Sequence, residues 1–399
     1  MEFHRSSSSS NHIQSRPTSL SSQRSLASVP SLNSRSQHHT STYHQCLATL
    51  KGHTSYISCI ALAGKFLYTG SSDGEIRSWN HACFHSQIFD PEQSNSSITN
   101  MVTAGKGAVK SIIVQSDKLF SAHQDYKIRV WKISGDEPDR HKYTRLATLP
   151  TFGDRATKVL NPKNHVQIRR HKKCTWVHHV DTVSALALSR DETLLYSVSW
   201  DRTIKVWRTS DFGCLESVNN AHDDAINALA VSEDGYIYTG SADKKIKVWK
   251  KGEGGEKHCL VDTLEKHNSG INALALSSDG SLLYSGACDR SILVWAKDGE
   301  EEDGKMVLVG ALRGHTKSIL CLAMVSDLVC SGSADKTIRI WRGVHDDCSC
   351  LAVLEGHSGP IKCLTAASGR SNPSEESFLV YSGSLDCDIK VWQIIVPVL

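Results

Sequence analysis

The sequence predicts an all-β protein: a seven-bladed β-propeller, in which seven small antiparallel sheets, the blades, close into a ring. Two observations support this prediction. An Asp is followed six positions later by a Trp at seven places in the 399-residue chain, and such a regular repeat indicates a stacked or ring-shaped architecture. The runs between these marks, such as INALAV (226–231) and KIKVW (245–249), are short, rich in β-branched residues and separated by turn signals, which is typical of antiparallel strands.

Each repeat carries further marks at matching positions. A Ser or Thr stands four positions before the Asp, and a His stands 20 to 29 residues before it. Only the second repeat lacks the His and has Gly105 in that position. The marks in chain order are His53, Thr69, Asp73 and Trp79; Ser121, Asp125 and Trp131; His179, Ser197, Asp201 and Trp207; His222, Thr239, Asp243 and Trp249; His267, Ser285, Asp289 and Trp295; His315, Ser331, Asp335 and Trp341; and His357, Ser382, Asp386 and Trp392.

Repeats of this length, with a His near the start and a strand that ends in Trp, resemble those of the WD40 family over residues 45–399. The resemblance implies a hydrogen-bond relay in each blade, from Asp to His, from His to Ser or Thr, and from that hydroxyl to the Trp ring. The chemistry is reasonable, because a buried Trp needs an acceptor and a His held by a carboxylate keeps one tautomer.

The same residue types also form the catalytic triad of hydrolases. Repetition argues against that alternative, because a chain builds one active site and not six or seven equivalent ones. We therefore predict a structural relay, no enzyme, and no catalytic or cofactor-binding residue. HDDCSC (345–350) is weak evidence for zinc without a second Cys pair, and AGKGAVKS (104–111) lacks the spacing of a phosphate loop.

The ends of the repeat region predict how the ring closes. Only seven residues follow Trp392, too few for another strand, while CLATL (46–50) has the same spacing to the next His as CLAVL (350–354). The N-terminal strand is therefore expected to complete the last blade, which leaves no free sheet edge. A small residue six positions after each His, or its equivalent, is expected on the innermost strand, and these residues are Cys59, Ser111, Ala185, Ala228, Ala273, Cys321 and Cys363.

The third repeat contains a long insert, predicted at about 136–173, because Trp131 and Trp207 are 76 residues apart. RLATL (145–149) and KCTWV (173–177) are alternative outer strands, and the spacing to His179 favours the second. The insert holds a basic cluster that is a nuclear localisation patch, a phosphate contact or a solvated strand edge. Its members are Lys163, Arg169, Arg170, Lys172 and Lys173.

Charge and composition limit the partners. The formal net charge of +3 equals the excess of Arg in residues 1–44, so the propeller is neutral and offers no broad basic field for nucleic acid or an anionic membrane. No apolar run of transmembrane length or secretory signal is present, which predicts a protein of the cytoplasm, the nucleus or both. The thirteen Cys are expected to be free thiols.

The tail, residues 1–44, contains fifteen Ser and few apolar residues, which predicts disorder. A chloroplast transit peptide is the alternative. RSLASVP (24–30) resembles a phospho-dependent 14-3-3 docking site centred on Ser28, and the alternative is an ordinary Ser-rich segment.

The function predicted is a non-enzymatic scaffold that binds other proteins. The insert and the following repeat resemble the JINGUBANG-like proteins, a plant group of WD40 propellers, which implies a regulatory protein with transcription regulators among its partners. None of the seven relay Trp is followed by Asp, so the chain lacks the Trp-Asp pattern by which many WD40 proteins dock to cullin-type ubiquitin ligases. A substrate receptor of such a ligase is therefore the alternative and not the favoured function. Residues beside the Asp and His positions are expected to bind the partner, with Trp200 and Arg202 as anchors; the set is Tyr56, Asp181, Trp200, Arg202, Asp224, Lys244, Arg290, Lys317 and Lys336.

Overall fold

The computed structural model confirms the predicted seven-bladed propeller, with seven four-stranded antiparallel sheets arranged around an axis. It describes residues 29–33, 42–81, 99–105, 107–137, 140–159, 165–169, 172–252, 254, 257–298, 304–344, 347–369 and 375–397.

The chain enters the ring through β1 (Tyr43–Leu50) and then forms one blade after another, from the innermost to the outermost strand. Blade 1 consists of β2 (Ile57–Ala63), β3 (Phe66–Ser71), β4 (Glu75–Asn80) and β5 (Thr99–Ala104), and blade 2 of β6 (Val109–Gln115), β7 (Lys118–His123), β8 (Ile128–Glu137) and β9 (Arg140–Leu149). The connection to blade 3 holds α1 (Phe152–Val159), β10 (His165–Arg169) and β11 (Lys172–Thr175).

The remaining blades follow the same order. Blade 3 consists of β12 (Val183–Leu188), β13 (Leu194–Ser199), β14 (Ile204–Arg208) and β15 (Cys214–Val218), and blade 4 of β16 (Ile226–Val231), β17 (Ile237–Ser241), β18 (Ile246–Lys251) and β19 (His258–Leu264). Blade 5 consists of β20 (Ile271–Leu276), β21 (Leu282–Ala287), β22 (Ile292–Lys297) and β23 (Met306–Leu312). Blade 6 consists of β24 (Ile319–Val325), β25 (Leu328–Ser333), β26 (Ile338–Val344) and β27 (Asp347–Leu354), and blade 7 of β28 (Ile361–Ser368), β29 (Glu375–Ser384), β30 (Ile389–Pro397) and β1.

The ring closes in blade 7, as the sequence predicts. Strand β1 pairs antiparallel with β30, from Tyr43 opposite Ile395 to Leu50 opposite Ile389. The Nζ atom of Lys390 donates to Thr49 Oγ1 at 2.9 Å across this pair. The inner strands contact one another all round the axis, and β28 contacts β2. Closure therefore joins residues far apart in the chain and removes the free edge of the last blade.

The hydrophobic core lies between neighbouring blades. Ile57 and Leu67 of blade 1, for example, pack with Tyr381 and Val391 of blade 7. The second strand of a blade is covered on both faces, so every residue of β3 and of β25 is buried, which is the burial expected for strands between two packed layers. Near the axis the space is tight: a Cβ added to Gly383 would lie 2.5 Å from a methyl carbon of Ile57.

The long insert differs from the prediction. RLATL forms the end of β9 and is the outer strand of blade 2, paired with β8 from Ile128 opposite Leu149 to Glu137 opposite Arg140. The favoured alternative, KCTWV, contributes to β11, which pairs with β10 in a separate two-stranded hairpin. The insert therefore starts after Leu149 and not at 136. Spacing to His179 was misleading, because α1 and the hairpin lie between the outer strand and that His.

The basic cluster of the insert falls partly on this hairpin. Arg169 pairs with Lys172 across the two strands, and Lys173 pairs with Gln167. Lys163 and Arg170 lie outside the described residues. The three roles considered for the cluster, a solvated strand edge, a localisation signal and a phosphate contact, stay predictions.

A part of the N-terminal tail lies against the propeller, so the prediction of disorder over residues 1–44 is wrong for residues 29–33, as it is for Tyr43 and His44 of β1. Val29 and Leu32 are buried, and the segment runs between the outer strands of blades 5 and 6. The backbone amide of Leu32 donates to Ala311 O at 3.0 Å, and the amide of Cys348 donates to Leu32 O at 2.9 Å. Ser28, the predicted phosphorylation site, lies outside the described residues.

Within the described ranges, no helix is long and apolar enough to cross a lipid bilayer. The eleven cysteines whose side chains the structure describes are free thiols, and burial raises the pKa of Cys59 and of Cys321 to about 12. These two thiols lie on the inner strands, at positions where the sequence predicts small residues, and they are unreactive at neutral pH because they stay protonated.

The candidate binding face and its hydrogen-bond frame

The relay is complete in blade 4. Trp249 Nε1 donates to Thr239 Oγ1 at 2.9 Å, Thr239 Oγ1 lies 2.8 Å from His222 Nε2, and His222 Nδ1 lies 2.9 Å from Asp243 Oδ2. With Nδ1 donating to the carboxylate, Nε2 accepts from the hydroxyl, and the hydroxyl in turn accepts from the indole. Each donor in this chain of bonds thus has an acceptor.

Blades 3, 5, 6 and 7 repeat this arrangement, with all twelve distances between 2.8 and 3.1 Å. The residues are His179, Ser197, Asp201 and Trp207; His267, Ser285, Asp289 and Trp295; His315, Ser331, Asp335 and Trp341; and His357, Ser382, Asp386 and Trp392.

Blade 1 departs from the prediction at the Asp–His step. His53 Nε2 lies 2.9 Å from Thr69 Oγ1, and Trp79 donates to the same oxygen at 2.8 Å. The carboxylate of Asp73, however, is 3.4 Å from His53 Nδ1, and this buried nitrogen makes no hydrogen bond with a described residue. Asp73 instead accepts from the backbone amides of Thr54 and Glu75. Burial lowers the pKa of His53, so its imidazole is neutral.

The carboxylate of Glu75 lies close to His53 and Asp73, and these three side chains form a group of metal-ligand types. Glu75 is already held by Arg77, whose Nε and Nη2 donate to its Oε2 atom at 3.0 and 2.8 Å. The group is better described as an ion-paired edge of the relay than as a metal site, because the guanidinium supplies the positive charge that the carboxylate requires.

Blade 2 replaces the missing His in a way that the sequence analysis did not predict. His123 lies two residues after Ser121 on β7, and its Nε2 atom is 2.8 Å from Ser121 Oγ, to which Trp131 donates at 3.0 Å. Asp125 takes no part in this relay, which corrects its assignment. Its carboxylate accepts two hydrogen bonds from Arg129, at 3.1 and 2.5 Å. Without a His beside it, the carboxylate is neutralised by the nearest cation on its own blade.

The Asp carboxylates of blades 1 and 3 to 7 are ionised at neutral pH, because the pKa of each is lowered from its ordinary value. Burial alone would raise the pKa of Asp243, but the hydrogen bond and the charge of His222, together with two backbone amides, lower it to about 2. Burial lowers the pKa of His179 and of His357, although their Asp partners oppose this. At neutral pH, His179 and His357 are therefore neutral beside their ionised carboxylates.

The relays have no access to a substrate. All seven relay hydroxyls, from Thr69 to Ser382, are completely buried, and each is engaged by a Trp and by a His. A hydrolase needs its nucleophile next to a site where a reacting carbonyl can lie. The relays are therefore structural. In every blade except blade 2, they and the Asp contacts beside them tie the turn that follows the second strand to the loop that precedes the first strand.

These ties place two sets of loops on one face of the ring, which we call the candidate binding face. In six blades the Asp carboxylate accepts from the backbone amide of the residue after the His, for example Val180, Asp223 and Thr316. The residue that follows the Asp has a positive φ at four of the predicted partner-binding positions, and this turns the chain tightly back into the next strand. These residues are Arg202, Lys244, Arg290 and Lys336.

The predicted partner-binding residues lie on this face with different degrees of exposure. Six of the nine are exposed charged residues: Asp181, Arg202, Asp224, Lys244, Lys317 and Lys336. Trp200 is exposed, while Tyr56 and Arg290 are partly buried. The carboxylates of Asp181 and Asp224 also accept from the next backbone amide at 2.7 Å and so brace their own loops.

Two predicted aromatic residues meet at a cation that the sequence analysis missed. The Nζ atom of Lys110, near the start of β6, lies 5.7 Å from the centre of the Trp200 ring and 5.8 Å from that of Tyr56. A hydrogen bond with Ser72 lowers the pKa of Tyr56, and so does the charge of Lys110, against the effect of burial. Trp200 keeps 40% of its surface exposed. We call Tyr56, Lys110 and Trp200 the aromatic cluster; it joins blades 1, 2 and 3.

Comparison with known proteins identifies the repeats. The family described as "WD domain, G-beta repeat" matches residues 44–80, 171–208, 213–250, 258–296, 306–342 and 348–393, more than half of the chain. Residues 81–170, which include blade 2, lie outside these matches.

Individual curated proteins show weaker similarity. The chain is 33% identical to the small ribosomal subunit protein RACK1 of Drosophila melanogaster over 102 residues, 25% of this chain and 30% of that protein. It is 23% identical to a WDR12 homologue for ribosome biogenesis of Trichoplax adhaerens, over 52% of this chain and 55% of that protein. It is 23% identical to autophagy-related protein 16 of Arabidopsis thaliana, over 47% and 38%. The match spans less than two thirds of each of these relatives.

Proposed function

Because the chain belongs to the WD40 family, we propose that it is a non-enzymatic scaffold that grips a segment of a partner protein on the candidate binding face. The observation that carries this proposal is the aromatic cluster. Trp200 is 40% exposed although it sits in a well-packed ring. Trp and Tyr are among the residue types that protein interfaces concentrate at their centres.

The charges around the cluster support a protein partner. Arg202, Lys244 and Lys336 alternate round the face with the acidic Asp181 and Asp224. A mixed ring of this kind suits a segment that carries both signs of charge, because complementary pairs fix orientation more than they add affinity. It does not suit the uniform charge of a nucleic-acid backbone.

The sequence resemblance to the JINGUBANG-like proteins supports a particular class of partner. On that resemblance we propose a regulatory plant scaffold with transcription regulators among its partners. The relatives' names refer to a ribosomal subunit, to ribosome biogenesis and to autophagy, which are different cellular contexts. They support a scaffold and select no partner. A substrate receptor of a cullin-type ubiquitin ligase is the second candidate.

The test is a double variant, Trp200→Ala with Arg202→Glu, compared with native protein by affinity purification and quantitative mass spectrometry. The matched control is Phe152→Ala with Arg190→Glu. It removes another exposed aromatic residue and reverses another exposed Arg, on α1 and on the turn between β12 and β13. Both variants must keep the native melting temperature. We expect the specific partners to be depleted about tenfold by the first variant and retained by the control.

Partners recovered undiminished with the folded Trp200 variant would move the binding site to another surface. The identity of the recovered proteins separates the two candidates: cullin adaptors favour the ligase receptor, and transcription regulators favour the regulatory scaffold. We also propose a location in the cytoplasm, the nucleus or both, to be checked with a fluorescent fusion whose cleavage would reveal a transit peptide.

A further inference from the structure

A pocket of about 500 Å³ opens between blades 1 and 2, at the site of the missing relay His. Its blade 1 side is formed by Thr103 and Gly105, at the end of β5 and the start of the following loop. Its blade 2 side is formed by Lys127, Arg129, Trp131 and Arg145, with Asp125 beside them. We call this the blade-2 pocket; its volume is in the range of ligand-binding clefts.

The pocket follows from the departure of blade 2 from the repeat. Gly105 stands where the other repeats place an imidazole, and His123 reaches the relay from inside the blade. The space beside Trp131 is therefore unfilled. Trp131 is 8% exposed, more than any of the six other relay Trp, which are at most 5% exposed.

The pocket has an excess of positive charge. Arg129 is buried and held by Asp125, so these two charges balance. Lys127 and Arg145 are exposed, and neither side chain makes a hydrogen bond or ion pair with a residue that the structure describes. Two positive charges remain uncompensated.

Arg145 is special to this blade. It lies opposite Trp131 across the strand pair β8–β9, and the residue opposite the relay Trp carries no charge in any other blade. Those residues are Thr99, Cys214, Leu260, Leu308, Cys350 and Cys46. A cation at this position therefore coincides with the one blade whose relay His is missing.

We propose that the blade-2 pocket binds the dianionic phosphoryl group of a phosphorylated Ser or Thr in a segment of a partner protein. A phosphate monoester carries close to two negative charges at neutral pH, which equals the uncompensated charge, whereas a carboxylate or a phosphodiester carries one. Guanidinium groups suit phosphoryl oxygens because they donate two parallel hydrogen bonds, and the Thr103 hydroxyl adds a neutral donor. This proposal rests on the proposed scaffold function and names a chemical feature of the partner.

The direct test uses the full chain and defined probes: phosphoserine capped as N-acetyl N′-methylamide, the corresponding capped Ser and Glu, and inorganic phosphate. Binding is followed by ³¹P and ¹H NMR titration. We expect the capped phosphoserine to bind at least tenfold more tightly than capped Glu, and capped Ser to show no binding. No binding of capped phosphoserine, or equal binding of capped Glu, would overturn the proposal. Equal affinity for inorganic phosphate would assign the pocket to a free small phosphate and overturn the partner-segment assignment.

A rebuilt blade provides the decisive variant. Gly105→His with His123→Ser restores the residue types of the other repeats and fills the pocket with an imidazole. The backbone accepts this change, because a Cβ at residue 105 would have its nearest neighbour at 3.6 Å and the position lacks a positive φ. We expect this variant to lose the capped phosphoserine completely. Undiminished binding would place the phosphate elsewhere.

Single substitutions keep the test valid if the rebuilt blade is unstable. Arg145→Gln changes one exposed side chain and should weaken binding roughly tenfold, the usual effect of one charge-assisted contact. The matched control is Lys245→Gln in blade 4, at the position equivalent to Lys127, where His222 occupies the relay. It should not change the affinity. Because the capped probe needs no partner protein, its result is independent of the Trp200 experiment.

Discussion

The Nε2 atom of His123 lies 2.8 Å from the Oγ atom of Ser121, although the two residues are separated by one residue on the same strand. In the other blades the imidazole comes from a loop 16 to 25 residues away in sequence from the hydroxyl. The same hydrogen bond is thus made from inside the blade. Because the loop no longer supplies the ring, the loop position is free for another role, and the blade-2 pocket occupies it.

The first prediction concerns His123→Ala. Removal of the imidazole leaves the buried hydroxyl of Ser121 short of one partner, and the free energy of unfolding should fall by about 1–3 kcal/mol. The control is Gln124→Ala, an exposed neighbour, which should change stability by less than about 0.5 kcal/mol. Urea unfolding followed by Trp fluorescence measures both. Equal destabilisation by the two substitutions would show that the His123 bond contributes nothing.

The second prediction concerns Asp243→Ala in the complete relay of blade 4. The substitution removes the acceptor of His222 Nδ1 and of the Asp223 amide, so the protein should lose about 1–3 kcal/mol of stability. Glu355→Ala, on an exposed loop before β28, should have almost no effect. The comparison is made by differential scanning calorimetry. Matching transition temperatures for the two variants would contradict a stabilising role of the relay.

The third prediction concerns acid. The folded pKa of Asp243 is about 2, below the unfolded value of about 3.9, so the ionised carboxylate stabilises the fold at and above pH 5. This contribution is lost as the pH falls from about 4 through 2. The stability difference between native protein and Asp243→Asn should therefore shrink as the pH falls below about 4. A difference that stays constant down to pH 2.5 in urea titrations would refute the assignment.

The fourth prediction concerns the tail segment 29–33. Leu32 is buried, and a Cβ added to Gly310 would lie 2.6 Å from it, so an ionised side chain has no place there. Leu32→Asp should release the segment and increase hydrogen exchange at the amides of Ala311 and Cys348 by roughly tenfold or more. Ser31→Ala, an exposed substitution, is the control. Unchanged protection of both amides in Leu32→Asp would show that the segment does not cover them.

The repeat makes most of the fold predictable from the sequence. Asp, Trp and a hydroxyl recur at fixed spacing because each blade must satisfy the same buried indole, and the matching strand before His53 reveals the closure of the ring. The error over the insert has a local cause. A strand and a hairpin can carry similar side-chain patterns. Spacing to His179 does not reveal that α1 and a hairpin lie between the outer strand of blade 2 and that His.

The binding face was harder to predict, since it depends on which side chains the ring brings together. Trp200 and Tyr56 were found because they stand beside relay residues, whereas Lys110 lies on an inner strand and has no mark of its own. The position of His123 holds Ser or Ala in every other repeat, so a single unexpected His was the available signal. Recognising it requires knowing that two positions along a strand return a side chain to the same face.

The pairing of β1 with β30 has a consequence for how cells make the protein. Of the strands that form the described ring, the ribosome releases β1 before all the others and β30 after them, so until then the growing ring is an open arc whose two end blades expose apolar faces. Such unpaired surfaces are the part of a nascent chain that aggregates or engages chaperones. The pairing of β1 with β30 therefore forms only when synthesis has reached β30. A chain that stalls before Ile389 cannot close the ring, however well its earlier blades have folded.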